Sequence, residues 1–418
     1  MGRALARLKG FQTLTNIDDA LSIFLRKLKP KRLQPEQVQI FVGLGRVTAE
    51  DIVAENDLPP FNRSAVDGYA VRTQDTFGAS QFSPRMLRIT EDAKVGEKEA
   101  REIWTGNPLP EDADSVIMLE QTKQKDGELE VWNPVTPGGN VSKRGEDVRK
   151  GQIAVKSGTR LTPHHVGLLA ALGMAHVVVV RKPTVAILST GDELVDLGHK
   201  PEANQVIDVN RLILSSMCQE LGADALDLGI AKDDLSEIAL KIREGLGKAD
   251  MLITTGGTSV GYDDLVPTAI NQMGPLGVIV HGIAMRPAMP TALAIVQGKP
   301  VIVLSGNPVA AMIGFEVFAR KLVLRLLGIE GEPRPMLRAR LTHKVSSVLG
   351  RRVFLRVRVF EEAGEFLAEP VRVKGSGILS TMTEANGYVV IPENREGLDR
   401  GVSVTVHLFD RIGKKENV

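Results

Sequence analysis

The stretch DMLITTGGTSVGYDD, Asp250 to Asp264, decides how this chain is read. It opens as an apolar run with no alternation, breaks into glycines and hydroxyl residues, and ends on two carboxylates, Asp263 and Asp264. A short apolar run that stops at a glycine turn reads as a strand buried on both faces. The same figure recurs in TVAILST (184–190), DALDLGIA (224–231), GVIVHGIA (277–284) and VIVLS (301–305). Helix-length segments at 208–221, 233–248 and 263–273 lie between most of these runs. In the second, Leu235, Ile238, Ala239, Ile242 and Leu246 form one stripe, with Asp233 placed to cap it. Buried strands alternating with helices predict a mostly parallel sheet covered on both faces. The unit closes with SGNP and a long apolar helix, where Asn307 sits at the cap and Pro308 at the first helical position.

On either side the pattern changes. Residues 15–29 carry a helical stripe behind Thr15 as cap, and 38–54 reads as a helix leading into a short strand. From Leu58 to about Val135, YAVR, MLRI, SVIML and LEVW alternate with Gly, Pro and Asp turns, the pattern of a small β-rich domain. HHVGLLAALG returns to helix and ends in the strand VVVV. After a linker at 328–335, RRVFLRVRVF, GYVVIP and VSVTVHLF predict a β barrel or sandwich. The expected fold class is therefore multidomain α/β plus β. A discontinuous helical domain takes 13–54 and 148–181, a β-rich domain is inserted at 55–147, the α/β domain spans 182–328, and a C-terminal β-barrel domain follows at 329–412.

Composition narrows the function. With 418 residues the chain is too long for one ordinary core. A net charge of +1 and an aromatic fraction of 4% leave neither a phosphate-binding excess nor stacking platforms, so nucleic-acid binding is not expected. Cys218 is the one cysteine; it lies in an apolar helical pattern and reads as a buried bystander. None of the seven histidines has zinc-motif spacing, and His164 and His165 at a helix start read as structural. No GxSxG elbow, Walker loop or strand-following GxGxxG is present. The N-terminus lacks a signal-like apolar run, and no 18-residue apolar stretch exists, so a cytoplasmic protein without a membrane span is expected.

In an open parallel sheet, ligands bind beyond the carboxyl ends of the strands. Here those ends carry Glu193, Asp233 and Asp264, and two glycine-rich turns, GGTSVG and SGN. Gly256, Gly257 and Gly261, with Ser259, allow backbone N–H groups to face an anion. The plainer alternative is a tight strand–helix turn, with Asp233 and Asp264 acting as helix caps. If an anion does sit there, Mg²⁺ is the ordinary means of reconciling it with adjacent carboxylates.

Seven segments then resemble one family in order: PPFNRSAVDGYAVR (59–72), IWTGNPLPEDADSVIMLE (103–120), RGEDVRKG (144–151), STGDEL (189–194), TTGGTSVGYDDL (254–265), SGNPVAA (305–311) and GSGILSTMTEANGYVVIP (375–392). They are similar to the molybdopterin molybdenumtransferases of the bacterial MoeA type, to which the C-terminal domain of gephyrin also belongs. The resemblance implies Mg²⁺-dependent insertion of molybdate into adenylylated molybdopterin with release of AMP. It also implies an elongated homodimer of four-domain subunits, with the adenylyltransferase that makes the substrate as a candidate partner. Carried over by motif, Asp67, Thr105, Asp147, Glu193, Asp233 and Asp264 belong to the catalytic cleft. Glu193, Asp233 and Asp264 are the candidate metal ligands; which of them hold metal and which orient water is left open. Gly256, Gly257, Ser259 and Gly261 would hold the phosphates, and Asn307, Arg286, Arg356 and Ser376 complete the substrate-binding set. Taken alone, Asp67 also reads as a turn residue before Gly68.

Two departures stand out. Where the family has lysine–proline–glycine–lysine–proline, this chain has Arg286-Pro287-Ala288-Met289-Pro290, so the second cation is lost and the first becomes a planar fork. Ser305 stands where the family often has proline. These departures bring in tungstate as an alternative oxyanion. A gephyrin-like dimeric scaffold without turnover is the alternative outside enzymology.

Overall fold

The computed structural model describes residues 13–28, 33–258, 265–371 and 377–414. The chain divides into two compact units, one of residues 36–179 and one joining the N-terminal segment to residues 180–418.

In the 36–179 unit, the four expected strands form in a six-stranded sheet: Gly68–Val71, Arg85–Ile89, Ser115–Met118 and Glu128–Val131. Tyr69, Val71, Leu87, Ile117 and Leu129 pack beneath it. Glu99–Ile103 and Thr122–Lys125 complete the sheet. Their sequences, EAREI and TKQK, carry too little alternation to have been read as strands. The helix expected over 38–54 does not form. That segment is the end of the strand Pro35–Gln39, a single 3-10 turn Ile40–Val42 and the two-residue strand Ile52–Val53. Gly43 N–H closes the turn on Ile40 C=O at 3.0 Å, and Gly45 at φ +75° takes the chain out of it. His165 is structural as expected, because its ring faces Thr162 in a capping box at the helix Pro163–Ala171.

The α/β sheet in the second unit comprises β1 (Thr184–Thr190), β2 (Asp224–Ala231), β3 (Met251–Thr255), β4 (Gly277–His281), β5 (Ala292–Val296) and β6 (Lys299–Leu304). Its order is β2-β1-β3-β6-β5-β4. β2, β1, β3 and β6 run parallel, while β5 pairs antiparallel with both neighbours. Four carboxyl ends therefore lie side by side on one edge. The helices α1 (Asn210–Glu220), α2 (Leu235–Lys248) and α3 (Leu265–Asn271) connect strands. On α2 the predicted stripe is inward: Ile238, Ile242 and Leu246 are buried, each contributing on the order of 1.5–3 kcal/mol by leaving water. Cys218 on α1 is fully buried, and burial pushes its thiol up to about 12, so the bystander reading holds.

The C-terminal strands β7 (Met336–Leu341), β8 (Arg352–Glu362), β9 (Glu365–Pro370), β10 (Gly387–Ile391) and β11 (Ser403–Leu408) close into a barrel. β8 is long enough to pair β10 through residues 353–357 and β9 through residues 357–362, which removes the free edges. The observed fold class is thus the expected one: a mostly parallel α/β sheet, a separate β-rich region and a C-terminal β-barrel.

One seam binds the barrel to the sheet. Met285–Arg286, between β4 and β5, pairs in parallel with Arg352–Val353 of β8. Thr15 joins the same seam: its N–H donates to Gly282 C=O at 3.0 Å and its C=O accepts from Ala284 N–H at 2.8 Å. With Thr15 held in this bridge, the helix Ile17–Lys27 is capped by Asn16, not by Thr15, and the Asn16 side chain accepts from Asp18 N–H. Asn16 Nδ2 also donates to Glu393 at 2.7 Å, and Arg352 grips Asp18 at 2.7 Å and Glu393 at 3.1 Å.

Arg352 donating to its carboxylate, helped by Asn16, lowers Glu393 from 4.5 to about 2. A depressed acid stabilises the fold fully above its unfolded value and loses that contribution as pH falls through the folded one. Melting temperature should therefore drop between pH 4.5 and 2. In Glu393→Gln the curve should be flatter across that window and lower at pH 7; superimposable curves would show that the seam carries no such linkage.

Candidate active site

A cleft of about 1070 Å³ opens over the carboxyl ends of β1, β3 and β6. Glu193, Asp233, Gly256, Gly257 and Asn307 all line it. The Glu193 carboxylate folds back over the strand end, where a Cβ on Gly191 would stand 2.6 Å from its Oε2. Asp233 does not cap α2. Asp234 occupies that position and accepts from Glu237 N–H at 2.9 Å, while Asp233 N–H donates to Asp192 at 3.2 Å. The shift of one residue leaves the Asp233 side chain on the cleft wall. Asn307 holds the cap position of the helix Pro308–Gly314, with Pro308 first as expected, but its side chain makes no capping hydrogen bond.

The glycines of the deciding stretch work differently from the expected cradle. Gly256 N–H is spent on Leu304 C=O at 3.2 Å, so it continues the sheet and does not face an anion. Its requirement is steric: at φ +93° a Cβ would lie 2.3 Å from Thr190 C=O. Gly257, at φ +61°, would set a Cβ 2.7 Å from Val266. The two glycines let the turn collapse onto β1 and α3. Ser259, Gly261 and Asp264 lie outside the described residues, as does Ser376. Its neighbour Gly377 lines the cleft, with Asn307 Oδ1 3.5 Å from where a Cβ would be.

A second cavity of about 400 Å³ adjoins the first and shares Met289, Pro290, Ser305 and Asn307 with it. Its walls come from the sheet–barrel seam. Arg286 and Arg356 both line it, Arg286 exposed and Arg356 only 5% exposed. Burial lowers the Arg356 guanidinium from its usual range, the signature of a cation held where solvation is poor. Met289 occupies the wall common to both cavities. Ala288 beside it sits at φ +75°, a left-handed conformation that costs a non-glycine residue about 1–2 kcal/mol.

Asp67, Thr105 and Asp147 belong to the 36–179 unit. Thr105 donates to Asp67 through both its N–H at 2.8 Å and its hydroxyl at 2.7 Å. Those two bonds lower the Asp67 carboxyl, so it is held ionised. Asp147 is exposed, and its backbone N–H donates to Leu58 C=O.

Sequence reasoning missed several residues of the cleft. Asn210, the first residue of α1, is 7% exposed and donates through Nδ2 to Thr255 Oγ1 and to Gly306 C=O, each at 2.8 Å. It staples the β3 and β6 turns together. Asp208, also on the cleft wall, is 6% exposed and accepts from Asn210 N–H and from Arg211. Their one legible signal is position: they stand at the start of the helix-length segment that follows β1.

Three family models match the chain: the MoeA N-terminal region (domain I and II) at 15–173, a probable molybdopterin binding domain at 186–325, and the MoeA C-terminal region (domain IV) at 338–409. The molybdopterin molybdenumtransferase of Bacillus subtilis is 34% identical over 91% of this chain and 91% of its own. This chain belongs to the MoeA family. The molybdopterin molybdenumtransferase of Haemophilus influenzae is 32% identical, with 96% of this chain and all of that protein covered. A solved MoeA protein, the molybdopterin biosynthesis protein from Pyrococcus horikosii, superposes with a TM-score of 0.80 at 39% identity, covering 96% of this chain and 100% of its own. Apart from Gly377, the residues lining the strand-end cleft fall within the segment matched by the molybdopterin-binding model; Gly377 and Arg356 fall within the segment matched by the MoeA C-terminal model.

Two alanine substitutions separate the glycine roles in this MoeA chain. Gly256→Ala meets Thr190 C=O at 2.3 Å and should lower stability by more than the ~1–2 kcal/mol of left-handed strain alone. Gly306→Ala, whose nearest neighbour is 3.6 Å away, should be tolerated. Denaturant titration of both variants checks this, and equal stabilities would refute the steric account.

Proposed function

We propose that this chain is a molybdopterin molybdenumtransferase that inserts molybdate into adenylylated molybdopterin in a Mg²⁺-dependent step and releases AMP. The observation that carries the reading is the pair of adjoining cavities. One is rimmed by carboxylates at the strand ends; the other is walled by a buried arginine, and Met289, Pro290, Ser305 and Asn307 are common to both. A dianionic oxyanion suits the Arg356 cavity, because a guanidinium offers an oxyanion a planar fork of charge-assisted donors. The adenylylated pterin suits the larger cleft.

The residues present fit Mg²⁺. Glu193 and Asp233 offer only oxygen donors to the cleft. Mg²⁺ takes one or two carboxylates and fills its shell with phosphate oxygens and water. Bound there with Asp264, the ion would polarise the phosphoanhydride and neutralise charge on the departing AMP. Glu193 and Asp233 fix where the anhydride lies, Arg356 and Arg286 hold the oxyanion, and Gly256 and Gly257 bring the backbone close to the ligand. Ser259, Gly261 and Ser376 are assigned to the same substrate-binding set by motif. Asp67, Thr105 and Asp147 are assigned catalytic roles by motif, and the ionised Asp67 is suited to orient a water or a ligand hydroxyl.

The same reading includes a cytoplasmic homodimer, the four-domain division drawn above, and the adenylyltransferase as donor of substrate. No helix among the described residues is long and apolar enough to cross a membrane. Met289, in place of a second cation, makes tungstate the natural comparison. With Mg²⁺ and molybdate, the purified protein should consume adenylylated molybdopterin and release AMP stoichiometrically. AMP release with tungstate alone would reassign the oxyanion, and none with either would favour a dimeric scaffold over a transferase.

A further inference from the structure

We infer that Asn210 is a ligand-binding residue whose side-chain oxygen accepts a hydrogen bond from a neutral, donor-bearing part of the substrate, and so sets which way the substrate lies in the cleft. The inference rests on the transferase reading above and deepens it.

The amide's orientation follows from its partners. Gly306 C=O can only accept, so it must face the amide NH₂. Thr255 Oγ1 gives its single proton to Ser305 C=O at 3.0 Å, so it too must accept from Asn210. Both donors of the NH₂ group are therefore spent inside the protein, and Oδ1 is left as an acceptor. Among the described residues Oδ1 has no hydrogen-bond partner, although Asn210 is buried and lines the cleft. A buried orphan acceptor costs free energy until a donor arrives. Oδ1 is enclosed in the structure, so a ligand group that comes to lie against it must be a donor.

The donor belongs to an uncharged part of the ligand. An amide oxygen repels phosphate and molybdate, whereas the Asp208 carboxylate beside it is already paired with Arg211. Thr190 Oγ1, a second buried polar atom on this wall without a partner among the described residues, can meet either polarity. Molybdate is then left to the side of the cleft that adjoins the Arg356 cavity, and the phosphates to the metal side at Glu193 and Asp233. An N–H of a heterocycle or an O–H of a sugar satisfies Oδ1, and adenylylated molybdopterin carries such donors on both its nucleotide and its pterin halves.

Binding of AMP and of molybdopterin, each measured separately by calorimetry under anaerobic conditions, identifies which half supplies the donor. In Asn210→Ala, one of the two probes should bind roughly tenfold more weakly while the other and molybdate are unchanged. Thr255→Val breaks the staple but leaves Oδ1, and should retain that probe's affinity within about twofold. Should Asn210→Ala fail to fold, Asn210→Ser, a smaller truncation of the same amide, should show the same selective loss. Unchanged binding of both probes, or equal losses for both probes in the Asn210 and Thr255 variants, would overturn the inference and leave Asn210 a staple only. If neither probe binds the unaltered protein, the transferase reading itself fails and the inference falls with it.

Discussion

The pairing of Met285–Arg286 with Arg352–Val353 is the contact on which the arrangement of the site depends. Between β4 and β5 the chain leaves the sheet, and its backbone groups need partners once buried. They find them in the first residues of the longest barrel strand, and Thr15 closes the other side of the same segment. Three stretches far apart in sequence thus share one seam. Its consequence is local: Arg356, four residues along the same strand, is brought to a cavity that adjoins the strand-end cleft. The turn that follows, through Ala288 at φ +75°, places Met289 on the wall shared by the two cavities.

The electrostatics of the deciding stretch look different once this geometry is known. Carboxylates beside an anion-binding loop are in conflict only if the backbone N–H groups are the anion's main support. Gly256 N–H is committed to the sheet, and the buried cation is contributed by the barrel. Acids on one side and arginine on the other give a ligand of mixed character a direction. On the proposed reading, a metal ion would sit with the former, an oxyanion with the latter, and the neutral rings and sugar where Asn210 offers an acceptor.

Much of the fold was legible because it follows from burial. The runs at 185–188, 251–253 and 301–304 are apolar throughout, as strands covered on both faces must be, and the α2 stripe repeats at helical spacing. Glu193 and Asp233 were legible because the strand-end rule needs only the strands. Caps were misplaced by one residue at Thr15 and Asp233, since capping depends on the backbone angles of a single residue and on what else claims it. The 38–54 segment was misread because its apolar residues fit helical spacing while Gly43 and Gly45 set the real turn. Asn210 was out of reach of any local pattern: its partners are 45 and 96 residues away. Arg356 was reached only through resemblance, since an alternating strand with several arginines does not say which one the barrel buries.

The central claim is that the oxyanion and the adenylylated pterin occupy different, adjoining cavities. Anomalous diffraction at the molybdenum edge, from crystals soaked in molybdate, tests it directly. The account predicts a molybdenum peak between Arg356 and the Arg286–Pro290 turn, lost in Arg356→Ala crystals. A peak over the strand ends beside Gly256 and Asp233, unaffected by that substitution, would contradict it.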